Sequence, residues 1–323
     1  MCNVKNLKTL QEAIEYFSSP KNCLDYIIPL RWKDGEVTCP RCASKEHYFV
    51  ETRSLWQCKG CKRQFTVKIG TIMEDSPLPL KTWLAAIWLI TNAKNGISSY
   101  EIHRSLGITQ KSAWFVLQRI RFAMHNGSFE MLSGDVEADE TYIGGKARNM
   151  HKEIREEKIQ GRGASGKSIV IGLLERGTET KASRVKAKVA KDTKKETLQR
   201  NIQENVELGA TVYTDENPSY EGIDGYMHEK VNHAADEYVR GKATTNGMEN
   251  FWTLFKRTIK GTYVSVEPFH LFRYIDEQQF RFNERKKTDG ERFVDVVANI
   301  TGKRLTYKKL IGKIDISGLT YGT

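Results

Sequence analysis

Two sets of side chains in this sequence have the types and spacing to do chemistry. Cys39-Pro-Arg-Cys42 and Cys58-Lys-Gly-Cys61 are CxxC pairs that enclose fifteen residues. Each pair suits a tight knuckle whose two thiolates reach one tetrahedral ion, so the expectation is a Zn²⁺ site. Four thiolates leave no open coordination position, which makes the role one of folding rather than catalysis. A segment this short has little core of its own and needs such a staple. Cys2 and Cys23 have no partner spacing and read as ordinary thiols.

The second set is acidic. Asp139 interrupts an apolar stretch containing Val136, Ala138 and Ile143, a place where an unpaired carboxylate is expensive to bury. Asp215 ends another apolar run just before Glu216, Asn217 and Pro218, and Glu249 stands in NGMENFWTLFKRTI, whose core stripe is Met248, Phe251, Phe255 and Ile259. Two aspartates on neighbouring strands and a glutamate on a helix beside them can converge on a pair of divalent ions about 4 Å apart, an arrangement that suits phosphodiester chemistry. Lys256 follows Glu249 two turns along the same helix face and can reach a phosphate near such ions, and Lys260 continues the stripe. Simpler readings compete: Asp139 as a strand-edge charge, Asp215 as a turn former, and Glu249 as the capping-box partner of Asn246.

The chain that must position these groups has 323 residues, with 51 Lys and Arg against 40 Asp and Glu, a net charge of +11 and a pI near 9.2. Such an excess of cations points to a polyanionic partner. Membrane insertion is disfavoured, because the longest apolar run, Trp83 to Ile90, is eight residues against the ~20 a spanning helix needs. The opening MCNVKNLKTL lacks the apolar stretch of a cleavable signal.

Leu7, Leu10, Ile14 and Phe17 recur at helical spacing and predict a short amphipathic helix closed by Ser18, Ser19 and Pro20. Residues 31–70 turn β-rich around the cysteines, and 81–92 are helical with a broad apolar face. ISSYEIHRSLGITQKSAWFVLQRIRFAM reads as two helices joined at Gly107, with Ser98 or Ser99 and Thr109 as caps. That is a helix-turn-helix pattern, in which Gln110, Lys111 and Ser112 would reach base edges and Arg119 and Arg121 would reach phosphate.

From Leu132 the order becomes strand (VEADETYI), basic glycine-rich loop, strand (SIVIGLLER), strand (SRVKAKVA), helix (KKETLQRNIQENV), strand (ATVYTDE), loop and two helices. This predicts an α/β, mixed α+β, architecture with a mixed sheet flanked by helices. Residues 161–168, GRGASGKS, satisfy both phosphate-loop and dinucleotide patterns, but a charged stretch precedes them and a β-rich one follows, the reverse of what either motif requires. The expected division is 1–30 helical, 31–70 zinc ribbon, 71–131 helix-turn-helix, 132–290 catalytic and 291–323 a basic C-terminal tail.

With RWKDGEVTCPRC, VEADETYIGGK, VYTDE, VNH at Val231 to His233, NGMENFWTLFKRTIKGTY and FRYIDEQQFRFNER in this order, the sequence resembles bacterial insertion-sequence transposases of the DDE type that carry an N-terminal zinc ribbon. The resemblance implies an RNase H-like catalytic fold, with Asp139, Asp215 and Glu249 as ligands of Mg²⁺ or Mn²⁺ and Lys256 as a DNA contact. It further implies binding of terminal inverted repeats and 3′-hydroxyl strand transfer into target DNA. A cytoplasmic, nucleoid-associated protein is implied too, a homodimer or higher oligomer when paired on element ends. The segment before the third acid reads Thr244, Thr245, Asn246, where such proteins commonly have His-Thr-Asn; Asn246 and His233 are possible neighbours of the site. Two rivals are a zinc-ribbon transcription regulator without catalysis and a tyrosine recombinase, for which His270-Leu-Phe-Arg273 and Tyr307 would serve.

Overall fold

The computed structural model describes residues 4–32, 35–125, 130–144, 166–231 and 244–313. The contacts divide into two units, one of residues 1–126 with 287–323 and one of residues 127–286.

The first unit opens with helices α1 (Leu10–Phe17) and α2 (Pro20–Arg31), capped by Thr9 and Ser19, whose hydroxyls accept from the backbone N–H of Glu12 and Asn22. The predicted apolar stripe is only half right. Leu7, Ala13 and Phe17 are buried, whereas Leu10 and Ile14 are exposed. The buried face is set by a ring cluster in which Phe17 and Tyr26 stand 5.1 Å apart and each meets Phe293 within 6 Å. Strands β1 (His47–Val50), β2 (Leu55–Cys58) and β3 (Gln64–Phe65) form an antiparallel three-stranded sheet that follows the first CxxC pair and carries the second between β2 and β3.

Helix α3 (Leu80–Asn92) buries Trp83, Leu84, Ile87, Trp88 and Ile90, so it is covered on most sides. Helix α4 (Ser99–Leu106) begins with a capping box between Ser98 and Glu101 and ends at Gly107, whose φ of 64° is the left-handed conformation a helix stop favours in glycine. Thr109 then caps α5 (Gln110–Met124). The expectation that Arg119 and Arg121 reach phosphate is overturned: they are 3% and 1% exposed. The Arg119 guanidinium donates to the carbonyls of Ile72, Glu74 and Leu305, and so ties three distant segments together. Helices α9 (Asp289–Ala298) and α10 (Tyr307–Leu310), by the chain-order numbering used below, close this unit. The stretch expected as a basic tail is therefore folded over its described part. Phe293 joins the ring cluster, Arg304 pairs with Glu74 and Asp75, and Lys303 donates to the His125 carbonyl.

The second unit holds a five-stranded sheet of β4 (Asp135–Ile143), β5 (Ser168–Glu175), β6 (Arg184–Ala190), β7 (Thr211–Thr214) and β8 (Met227–Lys230), in the order β6-β5-β4-β7-β8. The first three strands are antiparallel neighbours, and β7 and β8 add parallel to β4 on its other side. Helix α6 (Lys195–Asn205) makes the crossover and buries Leu198 and Ile202 against Val136, Ala138, Ile171, Leu173 and Val212. The opposite face packs on α7 (Asn246–Thr258) and α8 (Leu271–Asn283), through Met248, Phe251, Trp252, Phe255, Tyr274 and Ile275 against Ile143, Val170, Leu174 and Val185. Alternate residues of β5 thus serve opposite cores, as a strand buried on both faces requires. This mixed sheet between helices is the RNase H-like fold. Strand β8 lies in the segment read as loop. Met-His-Glu-Lys has no apolar alternation, and its extended state comes from pairing with β7. Among the described residues no helix is long and apolar enough to cross a membrane.

Candidate catalytic site and cysteine cluster

The central strand sets the acidic site. β4 sends its odd-numbered residues toward α7 and α8, so Glu137 and Asp139 face the same helix layer as Ile143. Opposite Asp139 in the β4–β5 ladder stands Gly172, where a Cβ would lie 2.4 Å from the Met248 Cε and 2.7 Å from the Trp252 ring. The missing side chain is what lets α7 lie close enough for the Trp252 indole N–H to donate to Asp139 Oδ2 at 3.0 Å. The β4–β7 register pairs Glu137 with Tyr213, and two residues onward it runs Asp139 alongside Asp215, just past the end of β7. Asp215 Oδ1 accepts from the Asn217 backbone N–H, the local turn bond expected of an aspartate there.

Electrostatics mark Asp139. Burial, followed by the charges of Glu140 and Asp215, pushes its carboxyl up to about 7, against the stabilising Glu140 N–H and Trp252 bonds. Glu140 points to the α6 face, where the Asn217 amide and the Tyr220 hydroxyl each donate to it at 2.7 Å. Burial also raises Glu140. Crowded, partly desolvated carboxylates disfavour their own ionised form, and a divalent cation would remove that penalty, so Asp139 and Asp215 fit a metal.

Glu249 lies in the first turn of α7, exposed, with the Thr245 hydroxyl donating at 3.5 Å. The capping-box reading is not what forms, since Thr245 takes the N-cap position and Asn246 is already helical. Glu249 sits one turn before Trp252 and so belongs to the helix docked on Asp139. Lys256 follows half-buried on α7, and Lys260 is exposed in the π-helical turn Ile259–Tyr263. Among the described residues, only the cysteines bring three or more such ligand atoms to metal-holding distance. Asp139 and Asp215 run side by side across β4 and the end of β7, and Glu249 lies on the helix docked on Asp139, but the three do not converge that closely.

Sequence reasoning passed over Glu137, which fastens α7 to the sheet. This buried carboxylate accepts from the Met248 backbone N–H at 2.9 Å and from Arg176 Nε at 2.9 Å, and Arg176 also donates to the Thr244 carbonyl. Gly247 makes room, since a Cβ there would stand 2.8 Å from Glu137 Oε2. The available signal was a second acid two residues before Asp139, on the same face of the strand.

The cysteines form the other site. Cys39 and Cys61 sulfurs are 3.8 Å apart and those of Cys42 and Cys58 3.6 Å. Zn–S bonds of ~2.3 Å in a tetrahedron put sulfurs roughly 3.8 Å apart, so the quartet fits zinc. The Cys61 N–H points at Cys58 Sγ at 3.5 Å and leads the lowering of that thiol to about 6, which favours the ligating thiolate. Cys23 is different: buried against the Phe17 carbonyl, its thiol is pushed up to about 11.

In the segment expected to read DNA, Gln110 receives no base-like freedom at its amide, which donates to Ser99 Oγ at 2.9 Å, while Lys111 is exposed near the Tyr307 ring and Ser112 receives the Thr109 hydroxyl. Arg273 of the recombinase-like pattern is 1% exposed and bonded to His270, so it cannot meet a phosphate from this position. Residues 145–165 of the glycine-rich loop, His233 and Cys2 lie outside the described residues, and β5 follows Gly166 and Lys167 where a nucleotide loop would require a helix.

An RNase H-like sheet carrying clustered acids, in a chain that also carries a cysteine knuckle pair, defines a nucleic-acid-processing architecture. Residues 131–283 match the ISXO2-like transposase domain and residues 18–64 the transposase zinc-ribbon domain. The chain is 29% identical over 292 residues to an uncharacterized protein in transposable element ISH50 of Halobacterium salinarum, covering 86% of this chain and 96% of that protein. It is 32% identical over 89 residues to an uncharacterized transposase-like protein of Haemophilus influenzae, covering 27% and 71%. The chain belongs to the insertion-sequence transposases that join a zinc ribbon to an ISXO2-like domain.

Proposed function

We propose that this transposase binds the terminal inverted repeats of its element and cuts and joins DNA by metal-dependent phosphodiester chemistry, with Asp139, Asp215 and Glu249 as the metal-holding carboxylates. The observation that carries the reading is Asp139: a half-buried acid destabilised by neighbouring acids yet fixed by the Trp252 indole, on the central strand beside Asp215. Bound Mg²⁺ or Mn²⁺ supplies activation of the attacking water or 3′-hydroxyl and stabilisation of the leaving oxygen.

The chain's own residues do the rest. Trp252 holds one Asp139 oxygen and leaves the other directed to its Glu140 N–H, and Asn217 orients Asp215. Glu249 comes to the site on α7, whose position is fixed by Glu137 and Arg176. Lys256 and Lys260, on the same helix and its π-helical extension, bind phosphates of the strand. Repeat recognition falls to the zinc ribbon and the α4–α5 pair, where Lys111 is exposed at the start of α5 and the Gln110 amide is already engaged by Ser99. Pairing of two ends calls for a dimer or larger assembly.

The test is nicking of an oligonucleotide duplex carrying the element's own ends. Mg²⁺-dependent nicking by the wild type, lost in Asp139→Asn with duplex binding kept, supports the reading. Cleavage that survives EDTA and leaves a protein-linked 3′-phosphate overturns it, as does full nicking by Asp139→Asn.

A further inference from the structure

The zinc-ribbon sheet has two unlike faces. Its register aligns Phe49 with Trp56 and Trp56 with Phe65, and these rings pack at 5.1 and 5.6 Å, with Trp32 edge-on to Trp56. Trp56 and Phe65 of that row are the ribbon's own small core, with Phe49 at its exposed edge. The same register puts Tyr48 opposite Gln57 and Gln57 opposite Gln64, a row that must point the other way because successive side chains alternate. Tyr48 is 53% exposed, Gln64 is exposed and Gln57 half-buried.

We propose that the Tyr48–Gln57–Gln64 row of the zinc ribbon is a base-reading surface that enters the major groove of the element's terminal duplex. The proposal rests on the repeat-binding function above and assigns it to particular side chains. Strands ~4.8 Å apart make a three-residue row roughly 10 Å across, which fits a major groove ~12 Å wide and not a minor groove of ~6 Å. Glutamine amides offer a donor and an acceptor together, the pair that adenine presents through N7 and N6 on its major-groove edge. The Tyr48 ring supplies apolar contact of the kind a thymine methyl accepts.

The surroundings suit a polyanion. Between residues 35 and 65 stand six cations, Arg41, Lys45, Arg53, Lys59, Lys62 and Arg63, against three acids, of which Glu36 is already paired with Lys45. Lys59, Lys62 and Arg63 are exposed on the second knuckle. The Gln57 amide donates to the Lys62 carbonyl at 2.7 Å and so ties that basic knuckle to the reading row. A single-strand stacking platform would need successive outward aromatics on one face, whereas the two exposed rings, Tyr48 and Phe49, are adjacent in β1 and so lie on opposite faces, and Phe49 packs on Trp56. Duplex DNA is the occupant this geometry favours.

The test compares affinity of the intact protein for a duplex of the element's outermost base pairs and for a scrambled duplex of equal length and composition, by fluorescence anisotropy across a salt series. Gln64→Ala and Tyr48→Ala are expected to lower the ratio of the two affinities about 10- to 100-fold each. Lys62→Ala and Arg63→Ala are expected to weaken both duplexes alike and to reduce the salt slope by about one each. A Co²⁺ thiolate spectrum equal to that of the wild type shows that each variant keeps its ribbon. Unchanged ratios in both Gln64→Ala and Tyr48→Ala with that spectrum intact overturn the proposal, whether the face is inert or serves a protein. A wild type that does not distinguish the duplexes overturns repeat binding itself, a failure seen before any variant is made.

Discussion

The cysteine cluster and the carboxylates proposed as a metal site are prepared in opposite ways. The four sulfurs already lie within 4.8 Å of one another, and the Cys61 N–H favours the Cys58 thiolate. Asp139 is crowded enough to disfavour its own ionisation, and it does not close with Asp215 and Glu249 on a common point. A folding site and a catalytic site differ in this respect for a physical reason. Pre-closed ligands maximise the coupling between binding and folding, whereas a working site needs ligand positions left for substrate oxygens.

The largest effect that could break the contrast is metal removal. Stripping zinc with a thiol-competing chelator should unfold the ribbon, since structural zinc contributes apparent free energies of ~10 kcal/mol or more in isolated fingers. Backbone amides of residues 47–65 would lose hydrogen-exchange protection. Removing Mg²⁺ alone should leave the amides of the RNase H-like sheet protected. A sheet that melts without Mg²⁺, or a ribbon that stays protected without zinc, would erase the distinction.

The next effect concerns how the acidic site is held. Glu137→Ala leaves the Arg176 guanidinium without its buried partner and the Met248 N–H unsatisfied. Removing one member of a buried pair costs about 3–5 kcal/mol, readable as a lower urea midpoint for the second unit. Because the lost bond fixes α7, nicking should fall in the variant even under conditions where it is fully folded. An unchanged midpoint would mean that packing through Gly172 alone sets the helix.

How much of this could be seen in the chain itself follows from the range of each interaction. The zinc site was legible because knuckle spacing is local, and the strands around Asp139 and Asp215 because their apolar runs are. Arg119 was misread as a phosphate contact because its carbonyl partners lie up to 186 residues away, and arginine on a helix ordinarily means solvent. β8 escaped notice because only its neighbour makes it a strand. Glu137, two residues before Asp139 in VEADETYI, could be placed on the same strand face but not given its role, which depends on where α7 lands.

Protonation provides a smaller and more continuous probe. Asp139 has its folded pKa raised to about 7, above the unfolded 3.8, so its contribution to stability is full below the unfolded value and is lost as pH rises through 7. The metal-free second unit should therefore lose stability between about pH 4 and 8, and Asp139→Asn should flatten that slope while abolishing nicking. Metal binding requires the ionised acid, so Mn²⁺ affinity by calorimetry should rise about tenfold per pH unit up to 7 and level off above it. Zinc held by the thiolates should show no inflection at 7. A Mn²⁺ affinity that is flat from pH 5 to 8 would mean that Asp139 is not the proton-releasing ligand.

The smallest change separates position from charge. Trp252→Phe keeps a ring in the α7 core and removes only the indole N–H that donates to Asp139 Oδ2. A lost bond to a carboxylate is worth about 1–3 kcal/mol, of which part appears as stability and part as a pKa shift. That N–H lowers the acid's pKa, so its loss should move the Mn²⁺-affinity inflection upward from about 7. At pH well above the inflection the affinity should return close to that of the wild type if Trp252 acts only on protonation. A deficit that persists there would mean that the indole also aims the carboxylate, and the acidic site would then share some of the preorganisation that otherwise distinguishes the cysteine cluster.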